Sequence, residues 1–295
     1  MKKISRYYLL FAAGVLLTLQ ITGCHAGRSR AEARHGKAVK GDDTADLPIR
    51  ENIDQKYELA TNARVSVWGI NGKVDIETGE GPNTEIHIVR SARNQETLDR
   101  RRTVIEFTPQ RLVIRGEKRE GGSLWDFLKG NDEMRMQVRL VLPRAIGLEV
   151  SGVNGHVTVG EITGELEISG VNGHVSTQAN ADKASFSGIN GEVGLTVRDP
   201  HRTVDISGVN GPIDVRIAGN VNADIEVSGL NGRFHNEGLN IEMPEKKNRR
   251  NFSAKLGAGG AAINISGVNG AVTFQKAGAV IIPRQNSKED QATGK

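Results

Sequence analysis

Two columns of ionisable side chains are the chemistry this sequence offers. The pentad Ser-Gly-x-Asn-Gly begins at Ser151, Ser169, Ser187, Ser207, Ser228 and Ser266, and a variant copy, Trp68-Gly69-Ile70-Asn71-Gly72, stands upstream. Two positions after the asparagine are His156, His174 and Glu192 in three successive copies. Two imidazoles and a carboxylate are ligand types that a transition metal accepts. Successive repeats make such columns readily, so the expectation is solvated polar groups, with no metal assigned. Five positions before the asparagine, Glu149, Glu167, Asp205 and Glu226 share a second column that Ser185 interrupts. Stacked carboxylates repel one another; solvent screening is the expected remedy, and a bound Ca²⁺ the alternative.

Motifs for catalysis are missing. The chain has no GxxxxGK[ST], HExxH or GxSxG, and its single cysteine, Cys24, lies near the start. Gly257 to Ala262 fits GxGxxA by letters, but the strand-like Ile263-Asn264-Ile265-Ser266 that follows is the wrong element for a dinucleotide site. The chain reads as a non-enzyme that needs no cofactor. Charge narrows the partners further: once Lys2, Lys3 and Arg6 leave with the leader described below, 36 basic residues face 35 acidic ones. Nucleic acid is therefore not an expected partner.

The elements that must carry these columns follow from the repeat. Its asparagines, Asn71, Asn154, Asn172, Asn190, Asn210, Asn231 and Asn269, are assigned as structural turn residues. From Asn154 on they are spaced by 18, 18, 20, 21 and 38 residues, the last close to two periods. Aligned on the asparagine, positions six, four and one before it and three after it are apolar, for example Leu148, Val150, Val153 and Val157. Polar residues separate them, the alternation of strands with one buried face. Glycine on either side of the asparagine supplies the backbone freedom of a tight corner. A period near 20 residues predicts an all-β fold, a single parallel β-helix-like solenoid with rungs of about 18–21 residues. Asn-Gly between alternating apolar residues also signals hairpins, so an antiparallel meander is the competing topology. The solenoid is preferred because residue classes match across whole units.

Upstream, residues 52–143 carry less regular strand-like runs that open the same body, and Ser123 to Asp132, with Trp125, Phe127 and Leu128, reads as a cap over the solenoid end or a docking patch. The runs before VLPRAIGLEVSGVNGHVTV, the repeated SGxNG units and the late KLGAGGAAINISGVNGAVTF resemble the DUF4097 family of bacterial β-strand-repeat proteins, often labelled adhesins. That resemblance spans about residues 52–282 and implies a solenoid-like fold outside the cytoplasm, without catalytic residues.

At the start, Lys2, Lys3 and Arg6 precede an apolar run from Tyr7 to Leu19, the order of a secretory signal. Ile21-Thr22-Gly23-Cys24 then resembles the lipobox of bacterial lipoproteins, which implies lipid on Cys24 and, with His25 following, an outer-membrane destination in a Gram-negative cell. The expected organisation is a signal peptide over 1–23, a lipidated flexible tether over 24–51, the repeat domain over 52–282 with its regular part from 144, and a disordered tail over 283–295. The functional expectation is a cell-envelope protein, membrane-bound through its N-terminal lipid. It would have a non-catalytic binding, adhesin-like or structural role toward an envelope protein or glycan. The alternatives are a polysaccharide-acting β-helix enzyme and an envelope-stress sensor or assembly factor.

Overall fold

Inward-facing Val, Ile and Leu at every second position make nearly every described segment a strand. A computed structural model describes residues 47–118, 134–179, 182–198, 203–217, 221–243 and 248–278. The irregular part contains β1 (Ile49–Glu58), β2 (Arg64–Asn71), β3 (Val74–Gly79), β4 (Asn83–Ala92), β5 (Arg101–Thr108), β6 (Arg111–Lys118) and β7 (Met134–Pro143). A short helix, α1 (Gln95–Arg100), separates β4 from β5; the Asn94 side chain caps it by accepting the Thr97 N–H at 2.8 Å.

The repeats give the long strands β8 (Gly147–Ile162) and β9 (Glu165–Ala179), then the pairs β10 (Lys183–Ile189) with β11 (Val193–Val197) and β12 (Val204–Val209) with β13 (Ile213–Ile217). After them come β14 (Ala223–Ser228), β15 (Phe234–Glu237), β16 (Ile241–Glu242), β17 (Phe252–Leu256), β18 (Ala261–Ser266) and β19 (Val272–Lys276). Together they form an open sheet that does not close on itself.

Two runs of parallel pairing can be followed through it. The first is β6–β2–β8–β9–β10–β12–β18–β14, extended antiparallel by β5 on β6 and by β17 and β16 beyond β14. The second is β7–β3–β8–β9–β11–β13–β19–β15, with β4 added antiparallel on β7 and β1 antiparallel on β4. The two long strands belong to both runs: β8 and β9 pair along their N-terminal halves in the first and along their C-terminal halves in the second. The repeats thus pair in parallel and in register, Leu148 with Leu166 and Val157 with Val175, and not as antiparallel hairpins.

Equivalent inward residues stack into one buried cluster. Val150, Ile168 and Phe186 are each 0 % exposed, and the cluster continues from Leu59 to Phe274. Fully burying each such side chain stabilises the fold by about 1.5–3 kcal/mol.

In one respect the order departs from the sequence expectation. The spacing of 38 residues before Asn269 suggests a skipped copy followed by the next rung in line. Instead the last pair, β18 and β19, lies between β12–β13 and β14–β15, so the spatial order of asparagines ends 210, 269, 231. The apolar columns of the two late copies are interchangeable, Ile263 and Ile265 against Ile225 and Val227, so no local letter distinguishes the two orders.

Candidate functional site

The corner after each Ser-Gly is built by glycine. Gly152, Gly170 and Gly188 have φ near +60° (60, 60 and 61), and Gly155, Gly173 and Gly191 have φ of 152, 154 and 153°. Among the described residues only one non-glycine, Asn62, has positive φ, so the left-handed positions of each corner belong to glycine. Their side chains instead form a chain of amides. Asn154 Nδ2 donates to Asn71 Oδ1 at 3.0 Å, Asn172 to Asn154 at 3.0 Å and Asn190 to Asn172 at 2.9 Å. Asn210 donates to Asn190, Asn269 to Asn210 and Asn231 to Asn269, all at 2.9 Å. Asn71 Nδ2 ends the chain on the Met134 carbonyl at 2.7 Å.

Every amide but that of Asn231 both donates and accepts, and all donate in the same direction. Such ladders favour in-register parallel stacking, because a slip of one residue breaks every link at once.

The acidic column lies along the outer face of the first run. In space it reads Ser66, Glu149, Glu167, Ser185, Asp205, Asn264, Glu226. Neutral residues separate most of its charges: Ser66 Oγ donates to Glu149 at 3.2 Å, and Asn264 Nδ2 to Asp205 at 2.8 Å. The inserted strand β18 places Asn264 between Asp205 and Glu226, so only Glu149 and Glu167 are carboxylate neighbours. Beside it runs a serine row, Ser151, Ser169, Ser187, Ser207, Ser266 and Ser228, continued on β2 by Trp68. Trp68 is 40 % exposed, and the Arg115 guanidinium lies 5.7 Å from its ring centroid.

The histidine column is assembled as the repeat register demands. His156 and His174 are paired with ring centroids 6.1 Å apart, and His174 Nδ1 lies 3.4 Å from Glu192 Oε2. Among the described residues no three His, Cys, Asp or Glu side chains converge closely enough to hold a metal ion. Gly257 to Ala262 lead into strand β18, not a helix, so their backbone makes a corner and no dinucleotide cradle.

No family model matches the chain, and no curated protein matches it. Solved structures do. A "putative cell adhesion protein" from Clostridium sporogenes aligns over 77% of this chain and 100% of its own at 12% identity, with a TM-score of 0.42. A "putative adhesin" from Bacteroides fragilis covers 77% and 97% at 12% identity, TM-score 0.30. A "putative lipid binding protein" from Parabacteroides distasonis covers 77% and 97% at 8% identity, TM-score 0.24. The adhesin names agree with the label carried by the sequence resemblance, while the specific family rests on that resemblance alone. At these scores the likeness carries no argument about ligand or activity.

Sequence reasoning missed the charged outer face of the second run's antiparallel end. There His87 pairs with Asp54, Lys56 with Glu85 at 2.7 Å and Arg139 with Glu77 at 2.8 Å, around a surface depression of about 590 Å³. The hydrogen bond from Lys56 to Glu85, with their attraction, raises the amine above its ordinary value. It also missed Arg90, almost buried, whose guanidinium meets Glu51, the Leu98 carbonyl at 2.5 Å and the Arg101 carbonyl, tying α1 to β4. Alternation in TEIHIVRSA puts Arg90 on the inward side with Ile86 and Ile88, which was the available signal. Cys24 and the segment Ser123 to Asp132 lie outside the described residues.

Proposed function

We propose that this chain is a lipid-anchored cell-envelope protein whose repeats wind as a β-solenoid and present flat outer faces for adhesin-like or structural binding. The observation that carries the reading is the in-register stack running from Asn71 to Asn231, because it converts sequence columns into continuous outward rows. The rows favour binding over catalysis. Glycoside chemistry needs two carboxyl groups facing each other across the scissile bond, whereas Glu149 and Glu167 lie side by side on one face, flanked by Ser66 and Ser185. Extended partners, a glycan strand or an envelope protein segment, suit a row of hydroxyls and carboxylates that repeats at the strand spacing of about 4.8 Å.

The anchor rests on Ile21-Thr22-Gly23-Cys24 and on the absence of any second cysteine that could pair with Cys24 within the chain. Metabolic labelling with a fatty acid tests it. The wild-type chain should carry label and sediment with membranes, and Cys24→Ser should lose both; an unlabelled wild type, or a Cys24→Ser chain still held on the membrane, refutes the anchor. Protease added to whole cells then separates a surface-exposed body from a periplasmic one.

A further inference from the structure

The amide ladder has two unlike ends, and the difference is chemical. At one end Asn71 is held on both sides, donating to Met134 and accepting from Asn154, and the following Gly72 N–H is bonded to the Asn154 carbonyl at 3.0 Å. Within the ladder Asn172 and Asn190 are likewise held at both Oδ1 and Nδ2. Their following amides are engaged too: Gly173 N–H reaches the Asn190 carbonyl and Gly191 N–H the Asn210 carbonyl, each at 3.1 Å. The other end is open. Asn231 donates to Asn269, but among the described residues nothing donates to its Oδ1, and the N–H of Gly232 has no acceptor. Asn231 and Gly232 are both exposed.

Every ladder asparagine precedes glycine, whose missing Cβ leaves the next backbone nitrogen open to approach. Asparagine is among the residues that limit protein lifetime at elevated temperature. From this asymmetry we infer that Asn231-Gly232 is a self-modification site, the place where the folded protein deamidates first.

The Gly232 nitrogen attacks Asn231 Cγ, the Cγ–Nδ2 bond breaks, and the nitrogen's proton leaves with Nδ2 as ammonia. Water then opens the resulting succinimide at either carbonyl to aspartate or isoaspartate. Only water is consumed, and nothing is oxidised or reduced. In the ladder interior the same attack must first break the side chain's link on each side, and at Asn172 and Asn190 also free the glycine amide from the neighbouring copy. At Asn231 only the link to Asn269 stands in the way.

The product matters to the fold. A carboxylate at position 231 has no N–H to offer Asn269 Oδ1 and places negative charge against that oxygen. An isoaspartate also lengthens the corner that leads into β15. Strand β15 pairs only with β19 among the described strands, so modification loosens the outermost rung and leaves the stack beneath intact. This is independent of what the outer faces bind.

The test is peptide mapping by mass spectrometry of the full chain, held folded at mildly alkaline pH and sampled over time. The same chain in urea is the reference, since there each site reacts according to local sequence alone. Relative to that reference, Asn231 should be modified at least about three-fold faster than Asn71, Asn172 or Asn190, an effect of the size one hydrogen bond supplies. A smaller ratio, or reaction first within the ladder, overturns the proposal. Asn269→Ala removes the single side-chain restraint on Asn231 and should accelerate its modification further; an unchanged rate means that the ladder bond is not what limits the reaction.

Discussion

Thr177 stands where the core column asks for an aliphatic residue. It pairs with Val159 on one side and Leu195 on the other, is 4 % exposed, and its hydroxyl has no partner among the described residues. Leaving a buried hydroxyl unpaired costs about 1–3 kcal/mol, whereas valine has nearly its shape and nothing to satisfy. Thr177→Val should therefore raise stability by about 1 kcal/mol, read as a higher denaturant midpoint with unchanged slope. A lower midpoint would mean that the hydroxyl has a role that packing does not reveal. Residues of this kind are poorly readable from sequence: threonine is a common strand former, and its inward position follows from register alone. The asparagines were legible because Asn-Gly recurs at a fixed period; the link of their side chains into one ladder, with glycine in the left-handed positions, depends on the parallel register of the copies.

Strands and their faces were readable because apolar alternation is local. The upstream runs, from KYELA at 56–60 to the stretch ending at Pro143, fall in strands, with Leu59, Ala60 and Lys73 just beyond the strand ends. The helix α1 was missed although Asn94, Glu96 and Arg100 mark its cap and ends, since six residues are too few to show periodicity. What holds adjacent strand pairs together at the corner is the absence of side chains. A Cβ on Gly191 would sit 1.8 Å from the Gly173 carbonyl oxygen, and φ there is +153°. The obstacle is backbone held in its own ladder, so neither partner can move aside. Gly191→Ala should cost about 2–4 kcal/mol, while Gly278→Ala, where a Cβ meets nothing within 4 Å, should change stability by less than about 0.5 kcal/mol. Equal losses at the two positions, measured by thermal or chemical unfolding, would show that close stacking at the corner is not the constraint.

At the scale of the molecule, the spatial order of the repeat copies is the property that sequence could not supply. Strands β12 and β13 are followed, 21 residues on from Asn210, by a copy with the same columns, and direct pairing would satisfy them. The finished structure places the last copy between the two, with Ser207 against Ser266 and Ser266 against Ser228. A chain made or refolded from its N-terminus meets the wrong neighbour first. Since stacked repeats gain stability mainly from nearest-neighbour contacts, that premature pairing is a trap nearly as comfortable as the final one. Refolding of the full chain should then show a slow phase, as β12 and β14 separate to admit β18 and β19. A chain ending at Gly260 has nothing to admit: it should fold without that phase, with a lower midpoint for the lost strands, and with the amides of β12 still protected from hydrogen exchange by β14. If the shortened chain is unfolded, the last strand pair is an obligatory part of the core. If it folds but refolds as slowly as the full chain, the delay has another origin than the exchange of neighbours.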